Sequence, residues 1–237
     1  KLDSIMKLLR VKWNTEQAMM NLVQVEAGEQ DNLSVVYTGN ITFAYPEMGG
    51  APDICLVIES HTAVLWQLKP AEAVSHEGET DVAKAIEAIC KRMGRRFENN
   101  GVKAKISNQY LDNTELGKIQ QIAANANIDV YIDNETVAIT PKGQPRMIDI
   151  PIVSPTTGLI GYPIPDLQGV KLQCLYNKAL RFGGLIEVAG SLIEQCNGRW
   201  RVFGLSLDLE SQTPGGKWLA DIKAANVEDT NAKVATK

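Results

Sequence analysis

Between Leu22 and Glu59 the apolar residues come in short, β-branched runs rather than at helical spacing. Leu22 to Val25, Leu33 to Ile41 and Ile54 to Glu59 each read as a strand, set apart by glycine and proline signals. Tyr37, Gly39 and Ile41 alternate with Thr38 and Asn40, as a strand with two unlike faces requires. The pattern predicts a small antiparallel β unit. Pro46, Gly49, Gly50 and Pro52 predict a loop from Tyr45 to Asp53 projecting from that sheet, because proline has no backbone N–H to give a ladder.

The period changes after Pro70. Val82, Ile86, Ile89, Cys90, Met93 and Phe97 recur at intervals of three or four, which is one buried helical face. They predict a helix from Asp81 to Asn99, with Thr80 as its N-cap and its stop near Gly101. A second helix is expected from Asp112 or Asn113, turning Leu116, Ile119, Ile122, Ala123 and Ala126 inward. Ile128 to Ile132 and Thr136 to Thr140 alternate about Asp133 and Asn134, giving a hairpin. With a strand from Val102 to Ile106 these elements form a compact α/β module.

Lys142 to Pro145 marks the next boundary, after which short strands return. Gly169 to Tyr176, Leu185 to Ala189, Trp200 to Leu209 and Trp218 to Ile222 are the strand candidates, and a polar, alanine-rich tail follows Asn226. The chain is therefore expected to divide into a β domain over 1–69, an α/β module over 70–143, a second β domain over 144–226 and a tail over 227–237. Its class is α+β and β-rich.

Composition narrows the function. Of the 237 residues 44% are hydrophobic and 22% charged, an ordinary globular balance, and the net charge of -4 with scattered basic residues gives no phosphate-neutralising surface. Lys91 to Arg96 is locally basic, but on a helix it serves as a solvated face or complements the C-terminal dipole. Cys55, Cys90, Cys174 and Cys196 are widely spaced and read as reduced, mostly buried thiols. With no apolar run long enough to span a bilayer and no signal-peptide layout, the chain is expected to fold in a cytoplasm. It begins at Lys1 rather than at methionine, as a truncated amino end would.

Catalytic chemistry finds little footing. His61 and His76 form no metal-ligand spacing and no nucleophile–base pair, so neither a metal nor a cofactor is expected. Asp208 and Glu210 alternate with Leu207 and Leu209 and share one strand face, as a glycoside-cleaving pair would, but so does any half-solvated strand. Nucleotide-loop and nucleophile-elbow motifs are absent. A tail-associated cell-wall hydrolase therefore ranks below a structural role, as does a surface-binding module, since Trp66, Trp200 and Trp218 lie in strand-like contexts where core packing accounts for them.

Turn chemistry stands out instead. Pro155 to Pro165 packs two glycines and three prolines around Leu159, Ile160 and Tyr162, which predicts a rigid loop with an apolar tip. In Glu210 to Trp218, Pro214 and Gly215 suit the centre of a type II turn. Rigid apolar loops are contact surfaces between subunits. The expected interface is Thr157, Gly158, Leu159, Ile160, Gly161, Tyr162 and Pro163 together with Ser211, Gln212, Pro214, Gly215 and Gly216.

The stretch PTTGLIGYPIPDLQGVKLQCLYNKALRFGGLIEV, from Pro155 to Val188, and NGRWRVFGLSLDLESQTPGGKW, from Asn197 to Trp218, resemble the carboxyl half of bacteriophage tail baseplate hub proteins of the Mu-like, contractile-tail kind. A TGLIG-type loop, a GV-led strand ending in CLYN, an R.GG segment and an ESQTPGG-type turn recur there in this order.

The resemblance implies two small tube-like antiparallel β-barrels with the α/β module between them. It implies a structural virion protein without enzymatic activity, in which three copies form a hub. Six barrels would then face the hexameric tail tube, and a three-fold face would meet the trimeric central spike. The implied partners are two further copies of the chain, the tube or tube-initiator protein, the spike, other baseplate wedge proteins and the tape measure protein. DNA would pass through the channel without specific binding. The expected location is the tail baseplate of the virion, after assembly in the host bacterial cytoplasm.

Overall fold

The computed structural model describes residues 21–29, 32–50 and 54–227. The fold is β-rich α+β. Two compact units divide the chain: one of Lys1–Phe97, Lys105–Asn125 and Asn134–Thr136, the other of Glu98–Ala104, Ala126–Asp133 and Val137–Lys237.

The first unit opens with an antiparallel sheet in the order β1 (Leu22–Glu29), β2 (Asn32–Glu47), β3 (Cys55–His61). The expected loop from Tyr45 is shorter than its prolines suggested. β2 runs on through Pro46, which pairs with Leu56, and only Met48 to Gly50 lie outside the strand before the described segment ends. β1 accompanies β2 only as far as Asn40, so beyond Ile41 one edge of β2 has no partner strand among the described residues, and a proline costs the ladder nothing there. Pro52 and Asp53 lie outside the described residues, as do 1–20 and the tail from 228. Trp66 sits in a short helix, α1 (Val64–Leu68), not in a strand.

β4 (Val74–Asp81) pairs antiparallel with β6 (Lys105–Leu111). Helix α2 is shorter than its periodicity suggested, Val82–Met93, and its N-cap is Asp81, whose carboxylate accepts from the Lys84 N–H at 3.0 Å. Gly94 ends it. At φ 66° this residue takes the left-handed conformation that closes a helix, and the chain leaves as β5 (Arg96–Asn99), so Phe97 belongs to a strand. Val82, Ala85, Ile86, Ile89, Cys90 and Met93 are buried along one face, as the spacing required. Helix α3 (Glu115–Ala126) starts two or three residues later than expected, after Thr114, whose hydroxyl accepts from the Gly117 N–H at 3.1 Å. It buries Leu116, Ile119, Ile122 and Ala123, while Ala126 is half-exposed.

Lys118 on α3 is fully buried, with its ammonium 3.7 Å from Glu115 and donating to the Glu72 carbonyl. Glu115 also accepts both Nε and Nη2 of Arg92, at 2.8 and 2.9 Å, which holds its carboxyl below the usual range. The cluster Lys91 to Arg96 is thus largely committed: Lys91 pairs with Glu87, Arg92 with Glu115, and Arg95 donates to the Asn134 carbonyl.

The second unit holds nearly all of a sheet ordered β5, β8 (Thr136–Pro141), β7 (Ile128–Asp133), with the β7–β8 hairpin turning at Asn134, φ 53°. Its larger part is a six-stranded half-barrel ordered β10 (Leu159–Asp166), β11 (Gly169–Leu175), β14 (Trp218–Asn226), β13 (Gly198–Leu209), β12 (Leu185–Val188), β9 (Ile152–Val153). All its pairings are antiparallel except β12 with β9. Alternation along β11 and β14 sends Val170, Leu172, Cys174, Ala220, Ile222 and Ala224 into the core, where they meet Ile186, Val188, Val202 and Trp200. The Trp200 indole N–H donates to the Cys196 carbonyl at 2.8 Å. β10 was not expected as a strand, because its two prolines read as loop signals.

Candidate subunit interface

The two segments expected at an interface lie at the same end of the half-barrel. Residues 154–158 form the turn between β9 and β10, and residues 210–217 join β13 to β14. The Leu175 N–H donates to the Gly158 carbonyl at 2.8 Å, and the Tyr176 N–H to the Trp218 carbonyl at 2.9 Å. Through β11 both turns are therefore level, two strand spacings or about 10 Å apart.

Each turn is fixed by its own hydrogen bonds. The Thr157 hydroxyl donates to the Ile152 carbonyl and accepts from the Ser154 N–H, both at 2.8 Å. In the second turn the Gly216 N–H donates to the Thr213 carbonyl at 2.9 Å, with Pro214 and Gly215 (φ 70°) between them, which is the type II geometry read from the residue types. The base is clamped by Trp218, whose indole N–H donates to the Glu210 carbonyl at 3.0 Å and whose ring meets Tyr176 edge-on at 5.8 Å.

The expected residues separate by exposure. Thr157, Ile160, Gly161, Tyr162, Ser211, Gln212, Pro214 and Gly215 are exposed, and Gly158 and Gly216 half-buried. Leu159 packs against the half-barrel core. Pro163 is buried within its own chain, its carbonyl 3.9 Å from the Cys196 thiol. The anticipated apolar tip is in fact the outer face of β10, where Ile160, Tyr162 and Ile164 follow at alternate positions, 38%, 61% and 63% exposed. Ile164 was missed. Its period-2 signal in LIGYPIPD is plain once the prolines are accepted on an edge strand.

That face forms one wall of an open groove of about 700 Å³, continued by Leu205, Lys171 and Lys223. Lys171 pairs with Asp166 at 2.6 Å, which holds that carboxyl low, and Asp221 accepts from Gln173 at 2.8 Å.

Asp208 and Glu210 are both bound by Lys217: its ammonium lies 3.0 Å from Asp208, and its N–H donates to Glu210 at 2.9 Å. The Asp208 hydrogen bond raises the Lys217 pKa. This is a salt-bridged surface strand end. His61 is exposed and His76 half-buried, and among the described residues no three His, Cys, Asp or Glu side chains converge as metal ligands.

Solved structures share this fold. A tail protein from Neisseria meningitidis MC58 aligns with TM-score 0.60 at 7% identity, over 81% of this chain and 81% of that one. The 43 kDa tail protein of prophage MuSo2 from Shewanella oneidensis aligns with TM-score 0.58 at 9% identity, over 83% of this chain and 79% of that one. No curated protein sequence matches the chain. The fold is thus that of phage tail proteins. The family model described as baseplate hub gp41 matches residues 6–215, and the chain belongs to that family. It is a structural family of the phage tail, not an enzyme family, and membership makes the chain a tail component of the virion.

Proposed function

We propose that this chain is the trimeric hub of a tail baseplate, the piece that joins a hexameric tail tube to a trimeric central spike. The observation that carries the reading is the baseplate-hub family match over residues 6–215. In each copy the half-barrel and the β1–β3 sheet act as two tube-like domains, with the α/β module between them. Three copies then present six such domains to the tube and a three-fold face to the spike, a closed arrangement that leaves no unpaired contact surface.

The two rigid turns at one end of the half-barrel supply the contacts between copies or to the tube. Wedge and tape measure proteins attach around this ring, DNA passes through it without specific binding, and the protein turns over no substrate. Assembly takes place in the host cytoplasm. Cryo-electron microscopy of tails containing this chain tests the reading: three copies in one ring between tube and spike are expected, and six copies, or a location on the outer baseplate, contradict it.

A further inference from the structure

The β2–β3 hairpin continues past the point where β1 leaves it. Among the described residues, from Ile41 to Glu47 on β2 and from Cys55 to Ser60 on β3 it is a two-stranded ribbon, and an isolated ribbon of this kind is marginally stable in water. Both of its faces are apolar. Phe43 and Tyr45, with ring centroids 5.3 Å apart, share one face with Val57, and Pro46, Leu56 and Ile58 share the other. Phe43 is 47% exposed and Ile58 39%, with Met48 and Ile54 exposed at the tip. The buried residues of this sheet are all small or polar: Ala27, Thr38, Gly39, Asn40 and Ala44. Among the described residues the ribbon therefore has no core of its own.

Its charge is one-sided. Glu47 and Glu59 are exposed on it, and no lysine or arginine occurs from 41 to 61. The groove on the half-barrel offers Ile160, Tyr162, Ile164 and Leu205 as apolar wall and Lys223 as a cation, with Lys171 paired to Asp166 and Asp221 accepting from Gln173. Seven residues of β2 beyond Asn40 carry the arm about 24 Å, and Ile160 to Ile164 spans about 13 Å, so the groove fits within its length.

We infer that the β2–β3 arm of one copy lies in the half-barrel groove of a second copy. The inference rests on the hub reading, and supplies its inter-subunit contact. The contact is heterologous, arm to groove, and closes on itself only as a ring. It is made by side chains against the face of β10. Strand addition to the edge of β10 is opposed by Pro163 and Pro165, which carry no N–H for a new neighbour.

Cys55, at the end of the arm, is exposed, and the other three cysteines are buried. Full-length parent chain is mixed with tagged chain carrying Cys55→Ser and Lys223→Cys, allowed to assemble with the spike protein, and treated with a short bismaleimide. A covalent link between Cys55 of the parent and the thiol introduced at 223 is expected. By construction that link is between two chains. Tyr162→Asp, at an exposed position, should reduce linking at least tenfold and leave the monomer's melting temperature unchanged. A ring of three that forms without the link, and that survives Tyr162→Asp, overturns this inference and leaves the hub reading standing. A parent chain that forms no ring with the spike overturns both.

Discussion

Leu159 donates its backbone N–H to the carbonyl oxygen of Ser154 at 2.8 Å, and in doing so ties together the two edges of the six-stranded half-barrel. Ser154 follows β9 and Leu159 begins β10, strands that are neighbours in sequence and opposite ends of the sheet. A five-residue turn joins them only because the sheet curls back on itself. The turn that resembles a hub loop in sequence is therefore the seam of the half-barrel.

Leu159 and Ile160 are adjacent but face opposite ways, and charge at the two positions should have different effects. Leu159→Asp puts an unpaired carboxylate against the half-barrel core and is expected to cost about 2–4 kcal/mol. Ile160→Asp lies on the outer wall of the groove and should change monomer stability by less than about 0.5 kcal/mol. Urea unfolding of both variants checks this, and equal losses would show that β10 is placed with the wrong face inward.

Arg146 is the buried charge hub of the second unit. Its guanidinium reaches Glu98 at 2.8 and 3.1 Å, Asp133 at 2.9 Å and the Phe182 carbonyl at 3.1 Å. Arg146→Met leaves two carboxylates without their partner and is expected to cost about 3–5 kcal/mol, a drop of roughly 6–20 °C in melting temperature. Thermal scanning measures it.

The same cluster sets an acid limit. The Arg146 hydrogen bonds, aided by Asn100, hold the Glu98 carboxyl below its ordinary value of 4.5, and Arg92 does the same for Glu115. A depressed folded pKa contributes stability in full above the unfolded value and loses it as pH falls through the folded one. Melting temperature should stay level from pH 7 down to about 5 and fall below about 4.5. Arg146→Met should flatten part of that fall, and an unaltered acid profile would separate Glu98 from it.

Gly215 holds the type II turn at φ 70°, and a Cβ there meets no atom within 4 Å. The cost of a side chain is thus purely conformational. Gly215→Asn should be nearly neutral and Gly215→Val should cost about 1–2 kcal/mol. Equal melting temperatures for the two variants would contradict the turn.

Much of this could be read from residue order. The α2 face, the Asn134 hairpin and the Pro214–Gly215 turn each carry a local signal that tertiary structure did not override. The misses have physical causes. VSHEGETD, the β4 sequence, shows no apolar alternation and is held as a strand by pairing with β6. Pro46, Pro163 and Pro165 hid strand because a proline's tolerance depends on which edge lacks a neighbour, a fact about pairing. Gly94 ended α2 within a run whose apolar spacing continued to Phe97. For the proposed interface, turn chemistry singled out the two segments, but inward and outward residues became distinct only once β10 was known to be a strand.

The native mass in solution, by light scattering coupled to size exclusion with and without the spike protein, tests the central claim most directly. A particle of three times the 25.9 kDa chain, alone or on adding the spike, is the predicted result. A monomer that persists in the presence of both spike and tube proteins would contradict the hub.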